Sequence, residues 1–427
     1  MRLSRRGVLA ALSLPLTAAG SARAFEADPL AAGRMLREQG RYLPRWLELL
    51  DEPGERARVL TMLGPDQAQA VDWVLRDGIT QYASFLGDEA TALRGASRSV
   101  TTPDPEADLV AEEALAAIVE ASRGHRVVML NEAHVASRHR AFLGRLIVAL
   151  RGEGFTHLAA ETFAEEVGEL RAGDTLSFRH GWYVGDPVYA EAVRQALDLG
   201  YRLIAYEQRE DQRSTERSLS DAATLNREQV QADNLKTAMA GDPDMRVLVF
   251  VGYGHLTEDG PAFGARFKAD TGIDPLTIGQ SGTGSFGPHV QDAPSVLALL
   301  ERFRPVQPVV ILKAGTRPAS AVSVETLTAE KTDLLLMHPS LPDIDGRPAW
   351  LAGDPTRRRV EVAVPAGAGP RLLQAVHAAD PDPAIPADQK LIDDAGEAAV
   401  LFLRPGPYRI RLETQAGFVP LEDRVVG

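Results

Sequence analysis

The sequence contains no cysteine among its 427 residues. This absence excludes disulfide scaffolds, thiolate metal sites, iron–sulfur clusters and cysteine nucleophiles. Basic residues are also in deficit, 46 against 59 acidic residues, and the net charge of −13 argues against a general nucleic-acid binder. Aromatic residues make up only 6% of the chain, which weighs against a large cleft with aromatic walls. The chemistry must therefore come from His, carboxylates, hydroxyls, Lys and Arg.

The apolar run near the N-terminus is too short to anchor the chain in a membrane. Arg5 and Arg6 precede this run at residues 8–19, which ends at Ala22-Arg23-Ala24, a small-x-small cleavage pattern. The block around the two arginines resembles a twin-arginine export signal. We therefore expect residues 1–24 to be a signal peptide of the twin-arginine type, with an ordinary secretory signal as the alternative. The mature chain would then be periplasmic or secreted, with 42 basic and 59 acidic residues and a net charge of −17.

The rest of the chain divides into three parts by its hydrophobic pattern. Residues 25–123 show helical spacing of apolar residues, and within them we expect residues 109–122 to form one amphipathic helix. Short apolar runs then alternate with helical segments as far as residue 352, which predicts an α/β domain with a mainly parallel sheet covered by helices. Residues 353–427 alternate between turns with a period of two, which predicts a small β-sandwich-like module.

Carboxylates and histidines follow four successive apolar runs. The first run is followed by Asn131-Glu132-Ala133-His134, the second by Glu161, the third by Glu207 and the fourth by Gly252-Tyr253-Gly254-His255. Because ligands bind at the carboxyl ends of parallel strands, we expect these side chains to converge on one rim. Singly, each also has a simpler interpretation, such as a helix cap for Glu132 or a surface loop for His134. The two glycines around Tyr253 indicate a close approach of the backbone to a ligand.

These motifs resemble those of a known superfamily. Leu130-Asn131-Glu132-Ala133-His134 with His139 and Glu161, followed by Gly252-Tyr253-Gly254-His255-Leu256, is similar to the pattern shared by erythromycin esterases, ChaN-like haem-binding uptake proteins and TIKI/TraB-like metalloproteases. Arg227-Glu228 with Asp233-Asn234 resembles the element that lies between the two motifs in that superfamily. The ChaN-like branch is nearest in spacing, although Asn131 stands where the family has glycine.

The resemblance implies a functional group of Glu132, His134, Glu161 and His255, with Arg227 positioning it or stabilising an oxyanion. Two imidazoles and a carboxylate, from His134, Glu161 and His255, can hold a divalent metal such as Zn, Mn or Fe. Without a metal, a histidine beside a glutamate can act as general base on water. Both routes predict an exported hydrolase, esterase- or peptidase-like, with a small-molecule or peptide substrate.

The main alternative is a periplasmic haem- or iron-binding protein of the ChaN-like kind, with His139 and Tyr253 as further ligands. A degenerate site retained for binding is a third interpretation. We interpret the G-x-G-x-x-G pattern at residues 282–287 as a loop over the strand ends, and His338 as a turn residue. The C-terminal module has no cluster of histidines or acids, so we expect it to contact the cell envelope, a partner or a second copy in a homodimer.

Overall fold

The computed structural model describes residues 31–95, 103–161, 163–214, 221–281, 292–315, 332–392 and 398–427. The expected signal peptide at residues 1–24 and the glycine-rich loop at residues 282–287 lie outside the described residues. In the part of the chain that is described, no helix is long and apolar enough to cross a lipid bilayer.

The N-terminal part consists of helices. They are α1 (Ala31–Gln39), α2 (Leu43–Leu50), α3 (Glu52–Leu63), α4 (Val71–Phe85) and α5 (Glu89–Ala92). Aromatic rings pack between α2 and α4. The ring centroid of Tyr82 in α4 lies 6.4 Å from the centroids of both Tyr42 and Trp46 at the start of α2. The Tyr82 hydroxyl also donates to the carbonyl of Tyr42 at 2.8 Å. This buried contact fixes the crossing of α2 and α4.

The helix expected over residues 109–122 is wrong in its first five residues. The chain forms β1 (Leu109–Glu113) and only then α6 (Ala114–Ser122). Strand β1 pairs with residues 309–313, and Leu109 is buried in one apolar cluster with Val309 and Ile311. Pairing and burial thus override the helical spacing, as tertiary context often does. The Glu113 side chain caps α6 by accepting the backbone N–H of Ala116 at 2.7 Å.

The central part alternates strands and helices around one sheet. Its elements are β2 (Val127–Glu132), α7 (Ser137–Arg151), β3 (His157–Ala160), α8 (Pro187–Asp198), β4 (Arg202–Ala205), α9 (Asp221–Met239), β5 (Val247–Gly252), α10 (Phe263–Thr271), β6 (Leu276–Gly279), α11 (Pro294–Phe303), β7 (Val309–Lys313), β8 (Leu334–Met337) and α12 (Ala349–Ala352). Within the described ranges, the sheet has eight strands in the order β1-β7-β8-β6-β2-β5-β3-β4. All its neighbouring pairs are parallel except those of β7, which runs antiparallel to β1 and β8. A mixed α/β fold with a mainly parallel sheet is therefore confirmed.

Helices cover both faces of the sheet, which explains why its inner strands are apolar along their whole length. In β2, Val128 and Leu130 belong to a core that includes residues of α7 and α8, whereas Val127 and Met129 belong to a second core with residues of α9 and α10. Helices α7 and α9 therefore lie on opposite faces, and each can reach the strand ends from its own side.

The C-terminal part is built from antiparallel strands. They are β9 (Arg358–Ala363), β10 (Arg371–His377), β11 (Asp388–Ile392), β12 (Ala398–Leu403), β13 (Gly406–Thr414) and β14 (Gly417–Val426). They form one sheet in the order β11-β10-β13-β14 and a second from β12 and β9. Apolar side chains of both sheets, among them Val362, Leu401 and Ile410, share one core. The prediction of separate β structure at the C-terminus is confirmed.

This β-rich part is bonded directly to the N-terminal helices. The carboxylate of Glu413 in β13 accepts the backbone N–H groups of Tyr42 and Leu43, each at 3.0 Å. Gln389 of β11 donates from its side chain to the carbonyl of Phe85 at 2.7 Å. The free N–H groups at the start of α2 are thus satisfied by a residue from the opposite end of the chain.

Replacing Glu413 with Ala should lower the free energy of unfolding by about 2 kcal/mol, because two buried backbone donors lose their acceptor. Glu422→Ala is the matched control, since Glu422 lies in β14 with a side chain that is 37% exposed, and it should change stability by less than about 0.5 kcal/mol. Urea unfolding of both variants measures the difference. Equal effects would contradict the capping role.

Candidate active site

The carboxyl ends of β2, β5, β3 and β4 lie next to one another in the sheet. Glu132 at the end of β2 is opposite Gly252 of β5, and Glu161 after β3 donates its backbone N–H to the carbonyl of Phe250 at 3.0 Å. The residues expected from the sequence therefore meet at one rim. The four principal side chains are all nearly inaccessible, between 1% and 4% exposed: Glu132, His134, Glu161 and His255.

Glu132 and His134 form a hydrogen-bonded pair held by Arg140 of α7. The Nδ1 atom of His134 lies 2.8 Å from Oε1 of Glu132. Arg140 donates from Nε to Oε2 of Glu132 at 2.7 Å, and from its other nitrogens to the carbonyl of His134 at 2.9 Å and to Asp186 at 2.7 Å. Burial alone would raise the pKa of Glu132, but the charge of Arg140 and the bond to His134 hold it below its usual range. Glu132 is therefore a carboxylate, and it accepts a hydrogen bond from the Nδ1–H group of His134.

The second nitrogen of the His134 ring, Nε2, is buried and has no hydrogen-bond partner among the described residues. The ring stacks on Tyr183 with centroids 4.5 Å apart, and Tyr253 meets it edge-on at 4.9 Å. The Tyr183 hydroxyl is also buried and, in the same described part, without a partner. Since buried polar atoms nearly always have partners, these two atoms mark where a substrate group or a water would complete the bonding.

Arg227 of α9 organises the other half of the rim. Its guanidinium donates to both oxygens of Glu207, at 3.0 and 2.5 Å, and to Oε1 of Glu161 at 2.5 Å. The second oxygen of Glu161 accepts the backbone N–H of Gly252 at 2.5 Å. Burial alone would raise the pKa of Glu161, but the positive charges of His255 and Arg227 lower it to about 2. Glu161 is thus an anion whose two oxygens are hydrogen-bonded to the guanidinium of Arg227 and to the backbone amide of Gly252.

His255 carries a positive charge at neutral pH. Its Nδ1 lies 2.5 Å from Oε1 of Glu228, and its Nε2 lies 3.8 Å from Oε1 of Glu161. Burial alone would lower the pKa of His255, but the carboxylates of Glu228 and Glu161 raise it to about 9. The two histidines expected at the site therefore differ in function: His255 is an imidazolium, and His134 presents an unpartnered nitrogen.

Gly252 allows two side chains of the site to approach the backbone closely. A Cβ at this position would lie 2.6 Å from Nε2 of His134 and 3.0 Å from Oε2 of Glu161. A Cβ at Gly254 would meet nothing within 4 Å in the described part of the structure. The two glycines of the motif therefore have different roles, and the first makes room for the imidazole of His134.

The three residues expected to bind a metal do not offer a free set of donors. Glu161 gives its oxygens to Arg227 and Gly252, and Nη1 of Arg227 lies 3.4 Å from Nε2 of His255. Among the described residues, no group of three His, Asp or Glu side chains is placed to hold a metal ion. A guanidinium thus occupies the position between carboxylate and imidazole where a metal cation would bind. These residues do not fit the expected metal in this arrangement.

The two residues expected as haem ligands have different neighbours. Tyr253 lies against His134. His139 is fully buried, accepts the backbone N–H of Ala133 on Nδ1 at 3.0 Å, and stacks on His338 at 5.1 Å. Burial lowers the pKa of His139 well below its usual range.

His338, expected to be a turn residue, is instead buried, and its Nε2 lies 2.8 Å from the side-chain oxygen of Gln280.

Four residues of the rim were not expected from the sequence: Tyr183, Asp186, Arg140 and Asp77. Arg140 gives a sequence signal, because it lies on the same helical face as Leu143 and Ile147, where a charged residue is unusual. Asp77 of α4 has no such signal. Its carboxylate accepts from the side chain of Gln81 at 2.8 Å, and burial raises its pKa to about 6, a rise that a proton on His134 would oppose. The N-terminal helices therefore contribute a carboxyl group within electrostatic reach of His134.

No protein-family model matches the chain, and no curated protein matches it. Among solved structures, the chain is similar to the type III effector HopBA1, with 15% sequence identity and a TM-score of 0.30 over 42% of this chain and 86% of that chain. A TM-score this low supports no conclusion about fold or function.

Gly252→Ala should displace the His134 ring and destabilise the protein by about 1–3 kcal/mol, because the added methyl overlaps the imidazole. Gly254→Ala is the matched control, and its effect should stay within about 1 kcal/mol in either direction. Urea unfolding measures stability, and NMR of the imidazole C–H groups reports the ring's environment. An unchanged His134 signal in Gly252→Ala would show that the ring does not rest on this glycine.

Proposed function

We propose that this chain is a hydrolase, esterase- or peptidase-like, in which His134 is the general base that activates water. The observation that carries the proposal is the unpartnered, buried Nε2 of His134, whose Nδ1 is bonded to Glu132. In the neutral tautomer that donates its Nδ1–H to a carboxylate, Nε2 is the nitrogen with the free lone pair, and the bond to the carboxylate fixes the direction in which it points. Arg140 makes this arrangement rigid, since it bonds both Glu132 and the backbone of His134.

The reaction then needs one base and one site for negative charge. Nε2 of His134 takes a proton from water while the water oxygen forms a bond to the carbonyl carbon of the substrate. The carbonyl oxygen becomes negative, and the imidazolium of His255 with Arg227 supplies the positive field that stabilises it. When the tetrahedral species collapses, the bond to the leaving oxygen or nitrogen breaks, and His134 returns its proton to that atom. Atoms and charge balance without a covalent enzyme intermediate.

The substrate must reach His134 from the side of Tyr253. Tyr183 is 2% exposed, whereas Tyr253 is half-buried and has a positive φ of 40°, an unusual conformation for a residue other than glycine. We propose that a movement of the Tyr253 ring opens the path to Nε2. Burial, and then the negative charge of Asp77, raise the pKa of Tyr253 above its usual range, so the Asp77 carboxyl is within electrostatic reach of that ring.

The resemblance of the two motifs to the erythromycin esterase and ChaN-like superfamily supports the same reaction class, because Glu132, His134, Glu161 and His255 are the residues that match.

We also propose export to the periplasm or medium, on the pattern of residues 1–24. Because the rim residues do not fit a metal ion in this arrangement, the proposed reaction does not include a metal ion. Elemental analysis and haem titration of the purified protein test the metal and haem predictions directly.

His134→Gln should lower the rate of ester or peptide hydrolysis by at least about 100-fold, because the general base is lost. His157→Gln is the matched control, since His157 begins β3 at the opposite end of the sheet, and its rate should equal that of the wild type. The assay is a panel of activated esters and amides, run with and without added zinc or manganese. Equal rates in all three proteins on every substrate would refute the proposal.

The rate of hydrolysis should fall as the pH rises through about 9, because His255 then loses the charge that stabilises the oxyanion. The same group contributes stability that is complete below pH 6.5, its ordinary pKa, and is lost as the pH rises through about 9. A pH–rate profile compared with that of His255→Gln measures the effect. A profile of wild type that stays flat to pH 10 would contradict a charged His255.

A further inference from the structure

A cavity of about 350 Å³ lies beside the rim, on the side of β8. Its walls come from α5, α7 and α12, from the segment before β7 and from the segment after β8. The lining residues that matter here are Glu89, Arg138, Phe142, Arg145, His338 and Trp350. The volume is within the range of pockets that bind small molecules.

One face of α7 forms a continuous wall of the cavity. Arg138, Ala141, Phe142 and Arg145 all line it, and they follow the spacing that places residues on one side of a helix. The apolar part of the lining is completed by Trp350 and Leu341, and Leu341 is 36% exposed. Arg140 belongs to another side of the same helix and is bonded to Glu132. The cavity is therefore separate from the proposed active site, although one helix serves both.

The charges of the walls leave Arg145 with the least neutralisation. Glu89 is 8% exposed, and one of its oxygens accepts from Arg138 at 3.2 Å and from the indole of Trp350 at 2.7 Å. Asp354 accepts from the hydroxyl of Thr356 at 2.7 Å and lies 3.6 Å from Arg357. Among the described residues, the nearest carboxylate to Arg145 is that of Glu113, at 3.9 Å, and the Arg145 side chain is 41% exposed.

His338 also lines the cavity, together with Arg138 and Arg145. Burial, together with the charges of Arg138 and Arg145, lowers the pKa of His338 to about 3. His338 is therefore neutral, and the positive charges near its ring are the guanidiniums of Arg138 and Arg145. In a chain with a net charge of −13, Arg145 gives this cavity a cation whose described carboxylate partner is as far away as 3.9 Å.

We propose that this cavity is a second binding site, for a small organic anion with an apolar ring and a carboxylate. The carboxylate pairs with Arg145 at the mouth, and the ring packs on Phe142, Trp350 and Leu341. Guanidinium is well suited to such a group, because its two N–H donors match the two oxygens of a carboxylate. The site goes beyond the proposed hydrolysis and does not depend on it.

The test compares three probes of one shape: 2-naphthoate, the neutral 2-naphthamide and the cationic 2-naphthylmethylamine, each titrated into the full chain by calorimetry. We expect one 2-naphthoate per chain, bound about tenfold more tightly than the amide, since a charge-assisted bond of about 1.4 kcal/mol gives this ratio. The amine should bind more weakly than the amide.

Arg145→Gln should reduce the preference for 2-naphthoate over the amide to about one, while Arg123→Gln keeps it. Arg123 is a suitable control because it is also a surface arginine with one carboxylate partner, Glu153 at 3.3 Å, and lies at the other end of β2. Circular dichroism melting confirms that both variants are folded. Equal binding of acid and amide, an unchanged preference in Arg145→Gln, or no saturable binding of 2-naphthoate in the millimolar range would each overturn the proposal.

Discussion

The candidate active site depends on the buried guanidinium of Arg140. This side chain is fully buried and links α7 to two other segments: the end of β2, through Glu132 and the backbone of His134, and the start of α8, through Asp186. Breaking a buried ion pair by removal of one partner costs about 3–5 kcal/mol, because the other charge is left uncompensated. The position of His134 is therefore fixed by a contact that the fold cannot exchange for solvent. Without Arg140, Glu132 would lose the strongest of the interactions that keep it ionised at this depth.

Arg227 does the same on the opposite face of the sheet, with Glu161 and Glu207 as its anions. The two arginines thus hold four carboxylates in place, yet their effects on the neighbouring histidines differ. Arg140 binds the carboxylate that orients His134, so that the second nitrogen of that ring stays open. On the α9 side, the carboxylate of Glu228 lies 2.5 Å from His255 and keeps the imidazole charged. One rim therefore provides both a base and a cation from the same residue type.

The strand ends could be predicted from the sequence because each parallel strand delivers its next residues to the same edge. Glu132, Glu161 and His255 follow apolar runs directly, so their convergence needs only the direction of the strands. The contacts of Asp77 could not be predicted in this way, because its helix reaches the rim through tertiary packing that no local pattern records. The strand at residues 109–113 was missed for the same reason, since its pairing partner lies about 200 residues further along the chain. Local spacing determines which face of an element is apolar, but not which distant element covers it.

The enclosure of His134 between Tyr183 and Tyr253 has consequences for both chemistry and stability. In a site without bulk water, the bond to Glu132 and the field of His255 act at low dielectric and are stronger than at the surface. The same enclosure leaves Nε2 and the Tyr183 hydroxyl without partners in the described part of the chain, and it holds Tyr253 in a left-handed conformation that costs about 1–3 kcal/mol. Strain and missing hydrogen bonds thus occur at one place, beside the proposed base, in a rim that is otherwise densely paired. A substrate group that bonds to Nε2 would supply the hydrogen bond that this nitrogen lacks, and the free energy of that bond would contribute to substrate binding.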